Sequence, residues 1–183
     1  MTASPASRGA HGVAVAAGAE LDVGRLLGAL TRRGVDYVVV GGIAAVLWGS
    51  SRNTFDLDVC PAIDDGNLEA LGHALSALDA RLRGLEDDVP FAPDAETLKR
   101  VELLTLVTDA GPLDVLLRPG GIAAYEHLRR NAQVVDLGSF SVRVASIRDL
   151  IAMKRSAGRR KDELDIEELE AIERLNRTRR SAR

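Results

Sequence analysis

The feature of this chain that most constrains its fold is a pair of acids separated by one residue, Asp56 and Asp58. The surrounding residues 55–60 predict a β-strand that Pro61 ends, and side chains alternate along a strand. Both carboxylates would then share one face, about 7 Å apart before side-chain rotation. Two like charges that close repel each other, so a buried pair costs free energy unless a metal ion or a base offsets it. The pair therefore predicts a strand that holds one or two divalent cations.

The composition allows one folded domain, or one domain with a helical annex, within 183 residues. A hydrophobic content of 46% suffices for a core, and an aromatic content of 3% argues against binding single-stranded nucleic acid by base stacking. A net charge of -3 excludes a globally basic protein. The single Cys60 cannot form an internal disulfide, which favours a reducing, cytoplasmic location. The sequence has no apolar run of about 18 residues, so we expect no membrane span.

Hydrophobic periodicity predicts alternating helices and strands between residues 20 and 145, which we take as the core of the fold. Helices are expected at residues 22–33, 43–48, 67–85 and 122–130, strands at 36–40, 55–60 and 140–145, and a hairpin at 101–107 and 113–117. Residues 86–97 are expected to form a loop.

A C-terminal helical part is expected at residues 146–176. Ser146 and Asp149 resemble a capping box at its start, and Gly158 breaks its first helix. Asp162 is expected to cap a last helix that ends near residue 175. Residues 177–183 are expected to form a frayed basic tail, and residues 1–19, rich in Ala, Gly and Ser, a disordered extension.

Gly41 and Gly42 lie between the apolar segment 36–40 and the short helix expected after it. Backbone amides at the start of a helix bind phosphate, and glycine leaves room for its approach. Most Gly-Gly pairs are only turns, so this pair gains weight from the acids that follow. Ser50, Arg52 and Thr54 precede those acids and are candidates for contact with a nucleotide. Arg52 can clamp a phosphate but also fits an exposed loop position, and Ser50 also fits a turn.

Asp114 lies in the apolar run 113–117 and is the natural third acid. Its carboxylate is costly to bury without a partner, although it also fits a solvent-facing position. Three carboxylates and Mg²⁺ would support in-line phosphoryl transfer, in which one metal ion activates an attacking hydroxyl and another neutralises a triphosphate. Asp114 would be placed to accept the proton of that hydroxyl.

Lys154 borders the apolar stripe of its helix and is a candidate for neutralising the triphosphate. Further basic residues follow it and could together hold an RNA backbone: Arg155, Arg159, Arg160, Lys161, Arg177, Arg179, Arg180 and Arg183. A solvated helix end explains each of these charges equally well. The three histidines lack metal-ligand spacing, and Cys60 has no histidine near it in sequence to activate a thiol.

Three segments of the chain resemble the nucleotidyltransferases of the DNA polymerase β superfamily, and in particular the AbiEii-type toxins of bacterial toxin–antitoxin and abortive-infection systems. The first is Val-Val-Gly-Gly at 39–42 with Arg-Asn-Thr-Phe-Asp-Leu-Asp at 52–58. The second is Leu-Asp-Val at 113–115, and the third is the stretch 144–154 with Arg-Arg-Lys-Asp at 159–162. The resemblance covers about residues 35–175.

This resemblance implies an α/β (α+β) fold of the polymerase β-like nucleotidyltransferase type, with a mixed sheet flanked by helices and a C-terminal helical part. It implies Asp56, Asp58 and Asp114 as ligands of Mg²⁺ or Mn²⁺, with an NTP as substrate. Lys154 and Asp162 match a lysine and an aspartate that the toxin relatives place near the nucleotide.

Two departures leave the acceptor open. Many superfamily members have Gly-Ser where this chain has Gly41 and Gly42, and the related toxins are often larger. The first hypothesis is a toxin that transfers NMP from an NTP to an acceptor such as a tRNA 3′ end, with a cognate antitoxin protein as partner. The alternatives are an antibiotic-modifying, small-molecule nucleotidyltransferase and a non-catalytic nucleotide-binding or antitoxin-like protein. The intact acids argue against a non-catalytic protein.

Overall fold

The computed structural model describes residues 19–84, 91–118 and 125–181. Helices and strands alternate through most of these ranges. The helices are α1 (Val23–Arg32), α2 (Gly41–Trp48), α3 (Asp65–Ala77), α4 (Ala95–Lys99), α5 (Tyr125–Asn131), α6 (Ile147–Ala157) and α7 (Arg160–Ser181). The strands are β1 (Tyr37–Val40), β2 (Leu57–Pro61), β3 (Arg81–Leu82), β4 (Leu103–Thr108), β5 (Gly111–Leu116), β6 (Gln133–Asp136) and β7 (Ser141–Val144).

The strands form one mixed sheet in the order β3-β4-β5-β2-β1-β7-β6. The pairs β2–β5 and β1–β7 are parallel, and the other neighbours are antiparallel. The mixed sheet with helices packed on it confirms the expected fold class. Strands β1 and β2 lie near the middle of the sheet, so the residues at their ends are surrounded by other elements.

The core is aliphatic and centres on β1, whose four residues are all buried. Because helices cover a central strand on both faces, its sequence is a continuous apolar run and does not alternate. Leu26, Leu27 and Leu30 form the buried stripe of α1 and belong to the same core. An aromatic content of 3% leaves this packing to Leu, Val, Ile and Ala.

Strand register brings two of the predicted acids and the start of α2 together at one end of the sheet. In the parallel pair β2–β5, Asp58 lies directly opposite Asp114. In the antiparallel pair β1–β2, Asp58 is the partner of Val40, the last residue of β1. The chain enters α2 immediately after Val40, so the start of α2 lies beside Asp58.

The segment around the first acid differs from the expected strand. Strand β2 begins at Leu57, so Asp56 lies in the bend before it and not on the strand. The physical reason is that β1 ends at Val40, opposite Asp58, and offers no backbone partner further along. Gly41 and Gly42 do not form a turn before the helix, because they are the first two residues of α2.

The leucine-rich helix is shorter than its periodicity predicts. Helix α3 ends at Ala77, and Asp79 adopts a left-handed backbone conformation with a φ of 49°. Leu82, which continues the helical spacing, lies instead in the edge strand β3. Part of the expected loop 86–97 is the short helix α4, which Asp94 caps by accepting a hydrogen bond from the Thr97 amide.

The remaining strands follow the expected hairpin, with one addition. Strands β4 and β5 pair as predicted, around a turn at residues 109–110. Strand β6 was not predicted, and it pairs with β7 through a second hairpin. Helix α5 covers most of the expected helix 122–130, whose first residues lie outside the described part of the chain.

Helix α6 starts and ends as predicted, whereas α7 starts earlier and ends later than predicted. Ser146 caps α6 by accepting a hydrogen bond from the Asp149 amide, and Gly158 ends α6 in the left-handed region. Only residues 158–159 separate α6 from α7. Asp162 is therefore inside the first turn of α7 and is not its N-cap. Helix α7 continues to Ser181, so most of the expected frayed tail is helical.

Two of the expectations fall outside the described residues. The extension 1–19 lies outside them except for its last residue, and so does Leu85, the end of the expected long helix. Among the helices that the structure describes, none has the length and apolar character to cross a membrane.

Asn67 joins helix α3 to the backbone beside strands β1 and β2, so its substitution tests how this helix is attached to the sheet. Its buried Nδ2 donates to the backbone oxygens of Asp36 at 3.0 Å and Ala62 at 2.7 Å, and its Oδ1 accepts from the Asp36 amide at 2.6 Å. We expect Asn67→Ala to lower the free energy of unfolding by about 2 kcal/mol, because these backbone groups lose their side-chain partner in a water-poor place. Urea denaturation measures the change. The exposed Glu69→Ala on the same helix is the control, and equal effects of the two substitutions would refute this expectation.

Candidate active site

A cavity of about 420 Å³ opens between the end of the central strands, the start of α2, the loop after α2, and helices α6 and α7. Its lining contains every residue that the sequence predicted for the site. These are Gly41, Gly42, Ser50, Arg52, Thr54, Asp56, Asp58, Asp114, Lys154 and Asp162. The structure thus brings together residues that are far apart in the sequence. Their roles in catalysis, metal binding and nucleotide binding stay predictions.

The two glycines are required by close approach of other side chains. Gly41 has a φ of 63°, and a Cβ atom there would lie 1.9 Å from Asp58 Oδ2. A Cβ atom on Gly42 would lie 2.3 Å from Thr54 Oγ1. The Gly42 amide also donates a hydrogen bond to Asp58. The start of α2 therefore contacts an acid directly, as favourable charge–dipole geometry predicts.

Asp58 is electrostatically the most strained of the three acids that were predicted to bind metal. Its pKa is raised to about 6, chiefly by burial and also by the negative charges of Asp56 and Asp114. The Gly42 amide and the positive charge of Lys154 act against this increase. Since these charges influence one another, the acids lie in one electrostatic environment.

The other two acids have individual partners. Asp114 Oδ1 accepts a hydrogen bond from Arg83 Nη2 at 2.8 Å. Burial raises the pKa of Asp114, and the charge of Arg83 opposes that increase. Asp56 Oδ1 accepts from Thr54 Oγ1 at 3.1 Å, which places Thr54 between an acid and the first turn of α2.

The acids offer the right donor atoms for a divalent cation, although they do not form a closed ligand set. Carboxylate oxygens are the ligands that Mg²⁺ and Mn²⁺ prefer, and a cation would relieve the repulsion that raises the pKa of Asp58. Within residues 19–84, 91–118 and 125–181, no three His, Cys, Asp or Glu side chains converge closely enough to hold a metal ion. The reason lies in their partners, because Asp114 is directed to Arg83 and Asp56 to Thr54.

Two cations stand on the α7 side of the cavity and share one acid. Lys154 Nζ lies 2.5 Å from Asp165 Oδ2 and 3.6 Å from Asp162 Oδ1. Arg52 Nη1 forms an ion pair with Asp165 Oδ1. Asp162 is buried, and its Oδ2 has no hydrogen-bond partner among the described residues; the Arg159 guanidinium is 3.9 Å away. An unsatisfied carboxylate oxygen on the cavity wall is typical of a site that takes a polar ligand.

Ser50 lines the cavity, but its hydroxyl is used by α7. Ser50 Oγ donates to Glu168 Oε2 at 2.6 Å. The amide and the hydroxyl of Ser51 donate to Glu168 Oε1 at 2.9 and 3.0 Å. These hydrogen bonds lower the pKa of Glu168. They fix the loop before Asp56 to the C-terminal helix.

Four charged residues of the site were missed by the sequence analysis: Arg83, Arg159 as a cavity residue, Asp165 and Glu168. Asp162, Asp165 and Glu168 recur every three residues on one face of α7, and this spacing could have revealed the two acids. Arg83 had no such signal. It follows strand β3, in a segment where the spacing of the leucines predicts a helix.

Comparison with known proteins gives matches in structure only. No protein-family model matches the chain, and no curated protein is similar in sequence. The lincomycin-bound lincosamide antibiotic adenylyltransferase LnuA is 16% identical, with a TM-score of 0.55 over 84% of this chain and 99% of LnuA. The chain has the nucleotidyltransferase fold. The antibiotic-resistance factor ANT(2'')-Ia is 14% identical, with a TM-score of 0.52 over 87% of this chain and 91% of that protein.

These likenesses confirm the nucleotidyltransferase fold that the sequence predicted. At such low identity they establish the fold and nothing more specific. The resemblance to AbiEii-type toxins stays a prediction from the sequence.

The pKa of Asp58 leads to a prediction about stability. In the unfolded chain its pKa is the ordinary 3.8, and in the folded protein it is about 6. A raised carboxyl pKa favours the folded state at low pH and costs stability as the pH rises through the folded-state value. We expect Asp58→Asn to stabilise the metal-free protein at pH 8 by up to about 3 kcal/mol, since the shift is about two pKa units. Asparagine keeps the shape and still accepts a hydrogen bond from the Gly42 amide.

Urea denaturation in EDTA between pH 8 and pH 4 tests this expectation. The gain should shrink steadily as the pH falls, while the exposed control Glu126→Gln on α5 should show no such trend. A gain that is independent of pH, or a loss of stability at pH 8, would contradict it.

Proposed function

We propose that this protein is a metal-dependent nucleotidyltransferase that transfers NMP from an NTP to an acceptor hydroxyl and releases pyrophosphate. One observation carries the proposal. Three acids line one cavity: Asp56 in the bend before β2, Asp58 on β2 and Asp114 on β5. The same cavity is lined by the two glycines that begin α2 and by the cations Arg52 and Lys154. The nucleotidyltransferase fold supports it independently.

The metal ion would be held by Asp56, Asp58 and Asp114, whose oxygen donors suit Mg²⁺ or Mn²⁺. When bound, it would neutralise the triphosphate and lower the pKa of the attacking hydroxyl. Arg52 and Lys154 would contact the phosphate oxygens from the opposite side of the cavity. Gly41 and Gly42 would leave space for the phosphates near the first turn of α2.

Asp114 is proposed as the general base. Burial raises its pKa, which brings its basicity closer to that needed near neutral pH. The acceptor hydroxyl would give its proton to Asp114 while its oxygen forms a bond to the α-phosphorus. The bond from the α-phosphorus to the bridging oxygen would break, and pyrophosphate would leave. Asp162 is proposed to act beside Lys154, near the nucleotide.

A tRNA is the first candidate for the acceptor. The protein would then be a toxin, with a cognate antitoxin as partner. The toxin-like sequence segments and the basic residues after Lys154 support it. Part of that basic charge is already neutralised, because Arg155 pairs with Glu170 at 2.8 Å and Arg177 with Glu173 at 3.2 Å. Arg159, which lines the cavity, is therefore the better candidate for contact with RNA.

A small-molecule acceptor is the second candidate, and the structural comparisons favour it. LnuA was solved with lincomycin, and ANT(2'')-Ia was solved with adenylyl-2''-tobramycin. The likeness to LnuA spans 84% of this chain and 99% of LnuA. An antibiotic with exposed hydroxyl groups would fit this candidate.

We expect Asp56→Ala and Asp58→Ala each to reduce transfer roughly a thousandfold or more, because each removes a donor that would hold the metal ion at the reacting phosphate. The assay combines the protein, Mg²⁺ and each α-labelled NTP with total tRNA or with a panel of aminoglycosides and lincosamides. Label on tRNA would select the toxin, and label on a drug would select the antibiotic-modifying enzyme.

Asp65→Ala is the matched control, since Asp65 is an exposed aspartate on α3 that does not line the cavity. Its activity should equal that of the wild type. Wild-type turnover in Asp56→Ala or Asp58→Ala would overturn the proposed mechanism. Binding of NTP without transfer to any acceptor would favour the non-catalytic alternative.

A further inference from the structure

We propose that Asp165 is a positioning residue that holds Arg52 and Lys154 in place to receive the triphosphate of a nucleotide. The inference rests on the proposed function and extends it to a residue that the sequence did not single out. Asp165 lies on α7, whereas Arg52 lies in the loop after α2 and Lys154 on α6. One carboxylate therefore joins three separate parts of the cavity wall.

The contacts of Asp165 are divided between its two oxygens. Oδ2 accepts a hydrogen bond from Lys154 Nζ at 2.5 Å, and Oδ1 pairs with Arg52 Nη1. The side chain of Asp165 is 18% exposed, that of Lys154 15% and that of Arg52 43%. The charge-assisted hydrogen bond between Lys154 and Asp165 is partly buried and is therefore stronger than one on an open surface, whereas Arg52 forms an ion pair and is more exposed. The arrangement fixes both cations on the α7 side of the cavity.

Pre-ordering of the two cations is the expected benefit. Lysine and arginine lose considerable rotamer freedom when a ligand immobilises them, and this loss weakens binding. A carboxylate that already holds them removes much of that cost before the nucleotide arrives. Without Asp165, the nearest described acid to Lys154 is Asp162, 3.6 Å away, which would draw the ammonium group deeper into the wall.

The number of N–H donors on Lys154 and Arg52 indicates that Asp165 positions these cations and does not block their contact with phosphate. An ammonium group has three N–H donors and a guanidinium five, more than the two oxygens of one carboxylate accept. Pairing with Asp165 therefore leaves the cations able to contact phosphate as well.

Glu168 attaches the loop after α2 to helix α7. It lies three residues after Asp165, on the same face of α7, and accepts three hydrogen bonds from Ser50 and Ser51. The loop that carries Arg52 is thus attached to α7 next to the ion pair. This second attachment makes Asp165 part of a fixed surface and not a passing contact of a mobile loop.

The test measures binding of inorganic triphosphate, and of non-hydrolysable ATP, GTP, CTP and UTP analogues with Mg²⁺, by calorimetry. We expect Asp165→Asn to weaken binding of these probes roughly tenfold, because the substitution loses a charged hydrogen-bond acceptor. In the transfer assay, KM for NTP should rise by a similar factor while kcat changes little, the pattern of lost ground-state binding.

Three further variants separate positioning from a merely structural role. Glu167→Gln, an exposed residue of α7, makes the same charge change and should bind like the wild type. Asp165→Glu keeps the charge and should recover part of the lost affinity, which also covers the case in which Asp165→Asn folds poorly. Arg52→Ala should lose less affinity when combined with Asp165→Asn than it does alone, since coupled residues are not additive.

Unchanged or tighter binding in Asp165→Asn would overturn the inference, and tighter binding would identify Asp165 as an inhibitory contact instead. Additive effects of Arg52→Ala and Asp165→Asn would overturn it too. Either result leaves the nucleotidyltransferase proposal standing if the wild type binds and transfers. A wild type that binds none of the probes would remove the proposed function together with this inference.

Discussion

Repulsion among Asp56, Asp58 and Asp114 is the constraint on which the cavity depends. Strand pairing alone forces two of these acids into register at the centre of the sheet. The fold tolerates two of them because nearby groups oppose their charges: the Gly42 amide and Lys154 for Asp58, and Arg83 for Asp114. Asp56 accepts a hydrogen bond from the neutral Thr54 hydroxyl. The cavity therefore brings three acidic side chains together.

The other side of the cavity is organised by α7. Asp165 and Glu168 hold, respectively, a pair of cations and the backbone of the loop before Asp56. Asp162 adds a buried carboxylate oxygen without a hydrogen-bond partner in the described structure. The C-terminal helical part is thus a wall of the same site and not an appendage. This explains why Lys154 on α6 and Arg52 in the loop after α2 lie close together in the site.

Much of the site was predictable because its residues carry strong local signals. The apolar run before Gly41, the paired acids and the acid in the run 113–117 each indicate a strand end on their own. The position of Asp56 was not predictable, since it depends on where β1 ends and not on local alternation. Arg83 was hidden because Leu82 keeps helical spacing, although the left-handed backbone at Asp79 has already ended that helix. Asp165 required knowledge of how α7 packs on the loop, which no single segment encodes.

Strand β6 shows a different limit. Its residues, Gln133–Asp136, are mostly exposed and pair only with β7 at the edge of the sheet. An edge strand has no buried face to produce the alternation on which sequence reasoning depends. The omission left the central strands, and hence the site, unaffected.

The close approach of Thr54 to Gly42 has an evolutionary consequence. The space that a side chain at position 42 would need is filled by the threonine hydroxyl, which arrives from the opposite wall. A serine at position 42 would instead bring a hydroxyl group from the helix itself. The Thr54 side chain would then have to shift, because it fills the space that a Cβ atom at position 42 needs. Substitutions at positions 42 and 54 are therefore expected to be coupled, with one tolerated better when the other side chain is made smaller.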